Sequence, residues 1–257
     1  MLFNSVEFLF LFLPITLALY HLLRRHASLN SAFFLLIVAS LFFYAWWQPK
    51  YLLLLSASVI CNFFIAQAIY RYQQKWITTL GICLNLATIG YYKYSAFFLT
   101  NLASLTGADW QVEQLLLPLA ISFFTFQQIA YLIDVQRHQV IEKSFSNYLL
   151  FVCFFPQLIA GPIVHHSEMM PQFKQNISIS AKYIAVGFSI FVIGLFKKTV
   201  LADGIAEFAN PVFQQAEQDI TLDFFTAWGG ALSYTFQLYF DFSGYSPQLP
   251  NNEPIQV

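Results

Sequence analysis

Charge is what this sequence lacks most. Only 10% of its 257 residues are Asp, Glu, Lys or Arg, against about a quarter in soluble domains, so the chain cannot clothe a surface that faces water. The formal net charge is −1, and without a basic face nucleic acid is excluded as a partner. Cysteine is scarce as well. Cys61, Cys83 and Cys153 each sit inside an apolar run with no metal-like spacing; they read as small buried hydrophobes, and no metal is expected. The opening MLFNSVEFLFLFLPITLALYHLL lacks the basic lead and small-residue cleavage site of a secretory signal, so it is expected to be retained as a first span. There is no phosphate-cradling glycine loop, no nucleophile elbow and no evident internal repeat.

What is present is apolar. Hydrophobic residues make up 58% of the chain, thirty of them phenylalanine, and mean hydropathy is +0.59. A membrane-spanning helix needs about 20 mostly apolar residues. Val6–Leu23, Ser31–Trp47, Tyr51–Tyr70, Trp76–Tyr92, Gln114–Ile133, Asn147–Pro162, Tyr183–Leu201 and Phe224–Ser243 come close to that. Tyr94–Leu105 is too short to cross and reads as an interfacial or half-length helix. The expected fold is all-α, a multi-pass transmembrane bundle with membrane lipid as its surroundings. An N-terminus outside the cytoplasm puts Arg24, Arg25, Arg71, Lys75, Arg137 and Lys143 inside, against Lys50 and Lys93 outside, which fits the positive-inside bias. His21 and His26 then join a basic cytoplasmic anchor. After residue 147 the bias gives no clear orientation.

Two features mark a polar interior. In NYLLFVCFFPQLIAGP, Pro156 removes a backbone donor and Gly161-Pro162 discourages further helix. Broken backbone at membrane depth needs protein or a wet cavity to satisfy it, so a re-entrant hairpin is preferred here over a kinked span. Gln127, Tyr131, Asp134 and His138 recur at intervals of three and four, as do Tyr234, Gln237, Asp241 and Tyr245. A carboxylate at the bilayer centre costs about 2.5–3.5 kcal/mol on insertion scales, so such stripes face the bundle interior or water. Each stripe alone is also compatible with a hydrogen-bonded seam between helices, and Asp134 with a simple pair to Arg137. His165-His166-Ser167-Glu168 reads as a solvated loop, because adjacent histidines point to different helix faces and no third ligand has metal-like spacing.

Three segments together, LPLAISFFTFQQIAYLIDVQR (Leu117–Arg137), FFPQLIAGPI (Phe154–Ile163) and YFDFSGYS (Tyr239–Ser246), resemble successive signatures of the membrane-bound O-acyltransferases, in particular the bacterial alginate O-acetyltransferase and D-alanyl-transfer branch. FNSVEFLFLFLPI is similar to the start of that branch. The resemblance implies a ring of helices around a funnel, with an acyl donor (acyl-CoA or acyl carrier protein) on the cytoplasmic side. It implies a polysaccharide acceptor such as alginate outside, periplasmic O-acetylation partner proteins, and the bacterial inner membrane as location. It places Gln127, Asp134, Arg137, Pro162, Asp241 and Ser243 in the motifs; the stripe adds Gln237 to the funnel lining. Ala120 stands where the family usually has glycine, Phe124 where it has tyrosine, Gln136 where tyrosine is common, and His165 where arginine is frequent.

The end of the sequence departs further. The family continues past YFDFSGYS to a segment resembling FWRRWHISLS, whose histidine belongs to the active site; here PQLPNNEP follows. Residues 1–246 are therefore expected to be the N-terminal part of the family's transmembrane domain, a partial ring with a re-entrant segment, and 247–257 a foreign polar tail. No catalytic residue is expected within the chain, and the piece alone is expected to be inactive, with Gln237 and Asp241 facing lipid or an open groove. A transporter or flippase, which also sets polar stripes around a broken helix, and a non-catalytic assembly subunit remain alternatives.

Overall fold

The computed structural model describes residues 3–106, 116–158, 164–174 and 181–245, and every regular element in them is helical. They fall into two compact units, Phe10–Lys174 and Gln175–Val257 with Leu2–Leu9.

The first unit opens with α1 (Leu13–His26), α2 (Leu29–Trp47) and α3 (Pro49–Tyr72). Their boundaries have local causes. Pro14 and Pro49 occupy first turns, where a missing amide costs nothing. The Ser28 hydroxyl caps α2, accepting from the Ser31 amide at 3.2 Å. Gln73 closes α3 in the left-handed conformation (φ 53°), its amide donating to the Ile69 carbonyl at 2.8 Å. Next, α4 (Lys75–Ile89), a π-turn over Gly90–Tyr94 and α5 (Ser95–Thr106) follow one another without a break. Trp76–Tyr92 and Tyr94–Leu105 are therefore parts of one rod, not a span and a separate short helix. Nothing between Tyr92 and Tyr94 is incompatible with helix, and the chain continues through it.

At the centre lies α6 (Ile121–Gln136), with nine of its sixteen residues buried. It packs against α3, α4 and α7 (Phe145–Cys153), and Val59, Ala66, Phe124, Tyr131, Leu132, Tyr148 and Phe151 form the middle of the core. Lipid tails are as apolar as these side chains, so close packing and interhelical hydrogen bonds hold such a bundle. One seam is a reciprocal amide pair between α3 and α4: Asn62 Nδ2 donates to Asn85 Oδ1 at 3.2 Å, and Asn85 Nδ2 to Asn62 Oδ1 at 2.6 Å.

Hydrogen bonds also sort the ends of this unit. Tyr44 and Tyr51, at one end, donate to the Leu119 and Leu116 carbonyls ahead of α6. At the other end Gln67 Nε2 donates to the Glu142 carbonyl (2.8 Å), Thr78 Oγ1 to Gln136 Oε1 (2.7 Å), and Arg24 Nη1 reaches the Phe173 carbonyl at 3.5 Å. The helices thus alternate in direction, and Arg24, Arg25, Arg71, Lys75, Arg137 and Lys143 share one end.

Among the described residues, four helices meet both the length and the apolarity of a span: Phe8–His26, Leu29–Trp47, Pro49–Tyr72 and Ile184–Glu217. The protein is all-α and multi-pass. The described part of Asn147–Pro162, up to Leu158, is not one continuous helix. Nine-residue α7 reaches only about 13 Å, the chain turns out of helix at Phe154, and the short α8 (Phe155–Leu158) follows. Pro156 sits in the first turn of α8, where it does no harm. The Phe155 amide freed by the break donates to Ser40 Oγ of α2 at 3.1 Å, and that hydroxyl donates to the Leu36 carbonyl at 2.7 Å. A serine of the neighbouring helix thus serves the backbone at the break. Gly161 and Pro162 lie outside the described residues.

The cysteines divide. Cys153 is buried, but Cys61 and Cys83 are exposed, because the outward faces of membrane helices suit an apolar thiol as well as the core does.

The second unit contains α10 (Ala181–Phe196), a π-turn over Lys197–Ala202, α11 (Asp203–Glu217) and α12 (Phe224–Tyr245). The first three are continuous, so the expected Tyr183–Leu201 span runs on to Glu217. Ile184, Phe188 and Ile193 of α10 are exposed, as lipid-facing side chains would be. α10 and α12 cross at two glycines: a Cβ on Gly194 would stand 2.6 Å from the Gly244 carbonyl oxygen, and one on Gly244 3.0 Å from that of Gly194. Only glycine permits that approach.

Candidate functional site

Each unit has its own polar cluster. In the first, α6 presents Gln127, Gln128, Tyr131 and Asp134, all buried. Gln127 Nε2 donates to the Phe151 carbonyl of α7 at 2.9 Å, and Gln128 Nε2 to Ser58 Oγ of α3 at 3.0 Å. The Tyr131 hydroxyl accepts from the Glu142 amide at 2.9 Å. Asp134 Oδ2 lies 2.8 Å from His165 Nδ1. Arg137 is exposed at the end of α6, so the partner of Asp134 is His165, not Arg137. His138 has left the helix, with φ 56°, and does not extend the stripe.

The histidine pair is no solvated loop. His165 is half exposed, its side chain 53% accessible, and the hydrogen bond and charge of Asp134 raise its pKa above the usual 6.5. His166 opens α9 (His166–Lys174) and is buried. Its ring packs against Tyr131 and Phe151, with centroids 5.4 and 5.0 Å away. Its Nε2 is 3.6 Å from Glu142 Oε2, beyond hydrogen-bond reach, and neither ring nitrogen has a hydrogen-bond partner. Burial lowers its pKa below 6.5 in spite of the opposing pull of Glu142. Adjacent positions face opposite sides of a helix start, as expected; what was missed is that each side holds a carboxylate. No spacing rule links Glu142 or Asp134 to these histidines. The only signal is that both acids sit among apolar residues, in LIDVQ and QVIEK.

In the second unit, Lys198 in the π-turn reaches both Asp203 Oδ1 (2.7 Å) and Asp241 Oδ1 of α12 (2.8 Å). Asp241 therefore has a cation as neighbour, and its side chain is 24% exposed. Gln237, one turn earlier, is half-buried, with Oε1 enclosed and unpartnered. Ser243 is also half-buried, its hydroxyl 3.5 Å from the Phe240 carbonyl. A π-turn adds one residue to a helical turn and often marks a functional position; here the extra residue accompanies a lysine aimed at a motif aspartate.

The family model described as MBOAT, membrane-bound O-acyltransferase, matches residues 41–247. The chain belongs to the membrane-bound O-acyltransferase family. Among curated relatives, it is 46% identical to a peptidoglycan O-acetyltransferase of Helicobacter pylori, over 95% of this chain and 52% of that protein. It is 39% identical to a probable alginate O-acetylase, AlgI, of Pseudomonas aeruginosa, over 96% of this chain and 48% of that protein. A teichoic acid D-alanyltransferase of Lacticaseibacillus rhamnosus is 22% identical over 75% of this chain and 48% of its own length. The chain spans about half the length of the curated relatives it matches.

The expected lining positions of this family member divide between the units: Gln127, Asp134 and Arg137 in the first, and Asp241, Ser243 and the stripe residue Gln237 in the second. Ala120, where glycine was the expected residue, adopts φ 59° ahead of α6, the left-handed conformation that glycine enters without strain. Gln136, another departure, is held by Thr78.

Proposed function

We propose that the protein to which this sequence belongs transfers an acyl group, acetyl in the first instance, from a cytoplasmic donor such as acyl-CoA or acyl carrier protein to hydroxyls of an extracytoplasmic glycan. The observation that carries the reading is the 46% identity to a peptidoglycan O-acetyltransferase over nearly the whole chain. Alginate is the acceptor named for the next relatives, so the acceptor class is a hydroxyl-bearing envelope or exported polysaccharide. The location is the bacterial inner membrane, with the end rich in Arg and Lys in the cytoplasm. Periplasmic O-acetylation proteins are the expected partners.

Acyl transfer needs a base to deprotonate the acceptor hydroxyl as it attacks the thioester carbonyl, and donors for the developing oxyanion. The resemblance assigns the base to a histidine in a WRRWH-like segment that this sequence does not contain. Gln127, Asp134, Arg137, Pro162, Gln237, Asp241 and Ser243 are assigned to the lining of the donor–acceptor passage. Asp241, tied to Lys198, is a positioning group and not the base. The test is acetyl transfer to glycan by the purified chain in nanodiscs, with and without a separately supplied C-terminal half of a relative. Turnover is expected only with both halves; robust turnover by the chain alone contradicts the assignment of the base.

A further inference from the structure

The neighbouring histidines at the start of α9 sit in opposite environments, and nothing in the proposed transfer uses either. His165 is open to solvent and touches a carboxylate at 2.8 Å. His166 is enclosed by two aromatic rings, with both nitrogens unpartnered and the Glu142 carboxylate at 3.6 Å. Geometry alone gives each its preferred state: a charged imidazolium for the exposed ring beside Asp134, and a neutral ring for the buried one. Met169 and Met170 of the same helix are buried in the core, so docking of α9 carries both imidazoles with it.

We propose that His165 and His166 make the docking of α9 onto α6 and α7 a proton-gated latch that is closed only when His165 is charged and His166 is neutral. The groups around it are few. Asp134 and Tyr131 face it from α6, Glu142 from the connection before α7, Arg24 from α1, and Glu168 and Lys174 from α9 itself; α7 presents the apolar Phe151, with Tyr148 packed behind it on Tyr131. Lys174 and burial both oppose charge on His166; Glu168 reinforces it on His165.

The signs give two limbs. His165 has a raised folded pKa, so its contribution is complete below the ordinary 6.5 and disappears as pH rises through the raised value. His166 has a lowered one, so its contribution is complete above 6.5 and disappears as pH falls through the lowered value. Docking is therefore strongest near 6.5 and weakens on both sides.

The experiment is hydrogen exchange of the α9 amides in the purified chain in nanodiscs, between pH 5 and pH 9, corrected for intrinsic exchange. Protection should pass through a maximum and fall several-fold on either side. H165Q and, independently, D134N should abolish the alkaline fall alone. H166Q should abolish the acid fall alone, and E142Q should deepen it and carry it to lower pH, because without the charge that favours protonation the docked ring holds its proton still less readily. Amides of α3 and α6 report whether each variant has kept its fold, and the paired variants serve if one does not. Protection independent of pH, or limbs that survive both members of a pair, overturns the latch. The readout requires no acyl donor, so the outcome is separate from that of the transfer assay.

Discussion

Replacing Ser40 with alanine should loosen the broken segment that carries the FFPQLIAGPI signature. The hydroxyl is completely buried in α2, donates to its own Leu36 carbonyl and accepts from the Phe155 amide at 3.1 Å. Without it, Leu36 keeps its ordinary helical bond, but the Phe155 amide loses its bond to the hydroxyl. A buried hydrogen bond contributes about 0.5–1.5 kcal/mol net, and polar contacts between membrane helices average nearer 0.6 and reach about 1.7. Alanine returns a few tenths through helix propensity, roughly 0.5 kcal/mol at most. The net loss should be about 1 kcal/mol, fivefold or more in the folded-to-unfolded ratio. Reversible unfolding in mixed micelles measures it, with Thr88→Ala as control, since the Thr88 hydroxyl is exposed and bonds only within its own helix, to the Leu84 carbonyl. The same amide should exchange faster in the variant. If Ser40→Ala and Thr88→Ala are indistinguishable, the serine does not satisfy the break.

Other substitutions test other joints. Ala120→Gly should stabilise the protein by about 0.5–1 kcal/mol, since it removes a left-handed alanine costing about 1–2 kcal/mol and adds glycine's smaller chain entropy, about 0.5–1 kcal/mol; a lower melting temperature would contradict this. Lys198→Met leaves Asp203 and Asp241 without their shared cation, while Asp241→Asn leaves Lys198 still paired with Asp203. At this partial burial the first should cost about 1–2 kcal/mol, between the surface and buried limits, and the second less; the reverse order by chemical unfolding would refute the pairing. Gly194→Ala should cost about 1–3 kcal/mol by forcing α10 and α12 apart, whereas Gly187→Ala, with open space around it in the middle of α10, should stabilise by about 0.5–1 kcal/mol in the same measurement.

Much of the fold was legible because apolar runs of membrane length carry their own signal. α2 and α3 fall within a few residues of Ser31–Trp47 and Tyr51–Tyr70. Continuity was harder to read: the aromatic cluster at Tyr91–Tyr94 looks like a span end and the expected Tyr183–Leu201 span stops short, yet π-turns carry the helix on in both places. In the α6 stripe, Gln127, Tyr131 and Asp134 are buried along one helix, whereas His138 turned out of it. Partners were the least visible. Asp134 meets His165, Glu142 approaches His166, and Asp241 meets Lys198 across turns and helices that no local periodicity connects. Such pairs follow from tertiary packing, and a carboxylate in an apolar run announces only that some partner must exist.

The most direct measurement is the alkali-released acetate content of envelope glycan in bacteria deleted for their own O-acetyltransferase. These cells would express this sequence continued by the C-terminal half of its peptidoglycan-acetylating relative. The account predicts restored O-acetyl groups on the glycan, reduced by Lys198→Met in proportion to its effect on Asp241. A folded, membrane-inserted protein that leaves glycan acetate at the deletion level would contradict it.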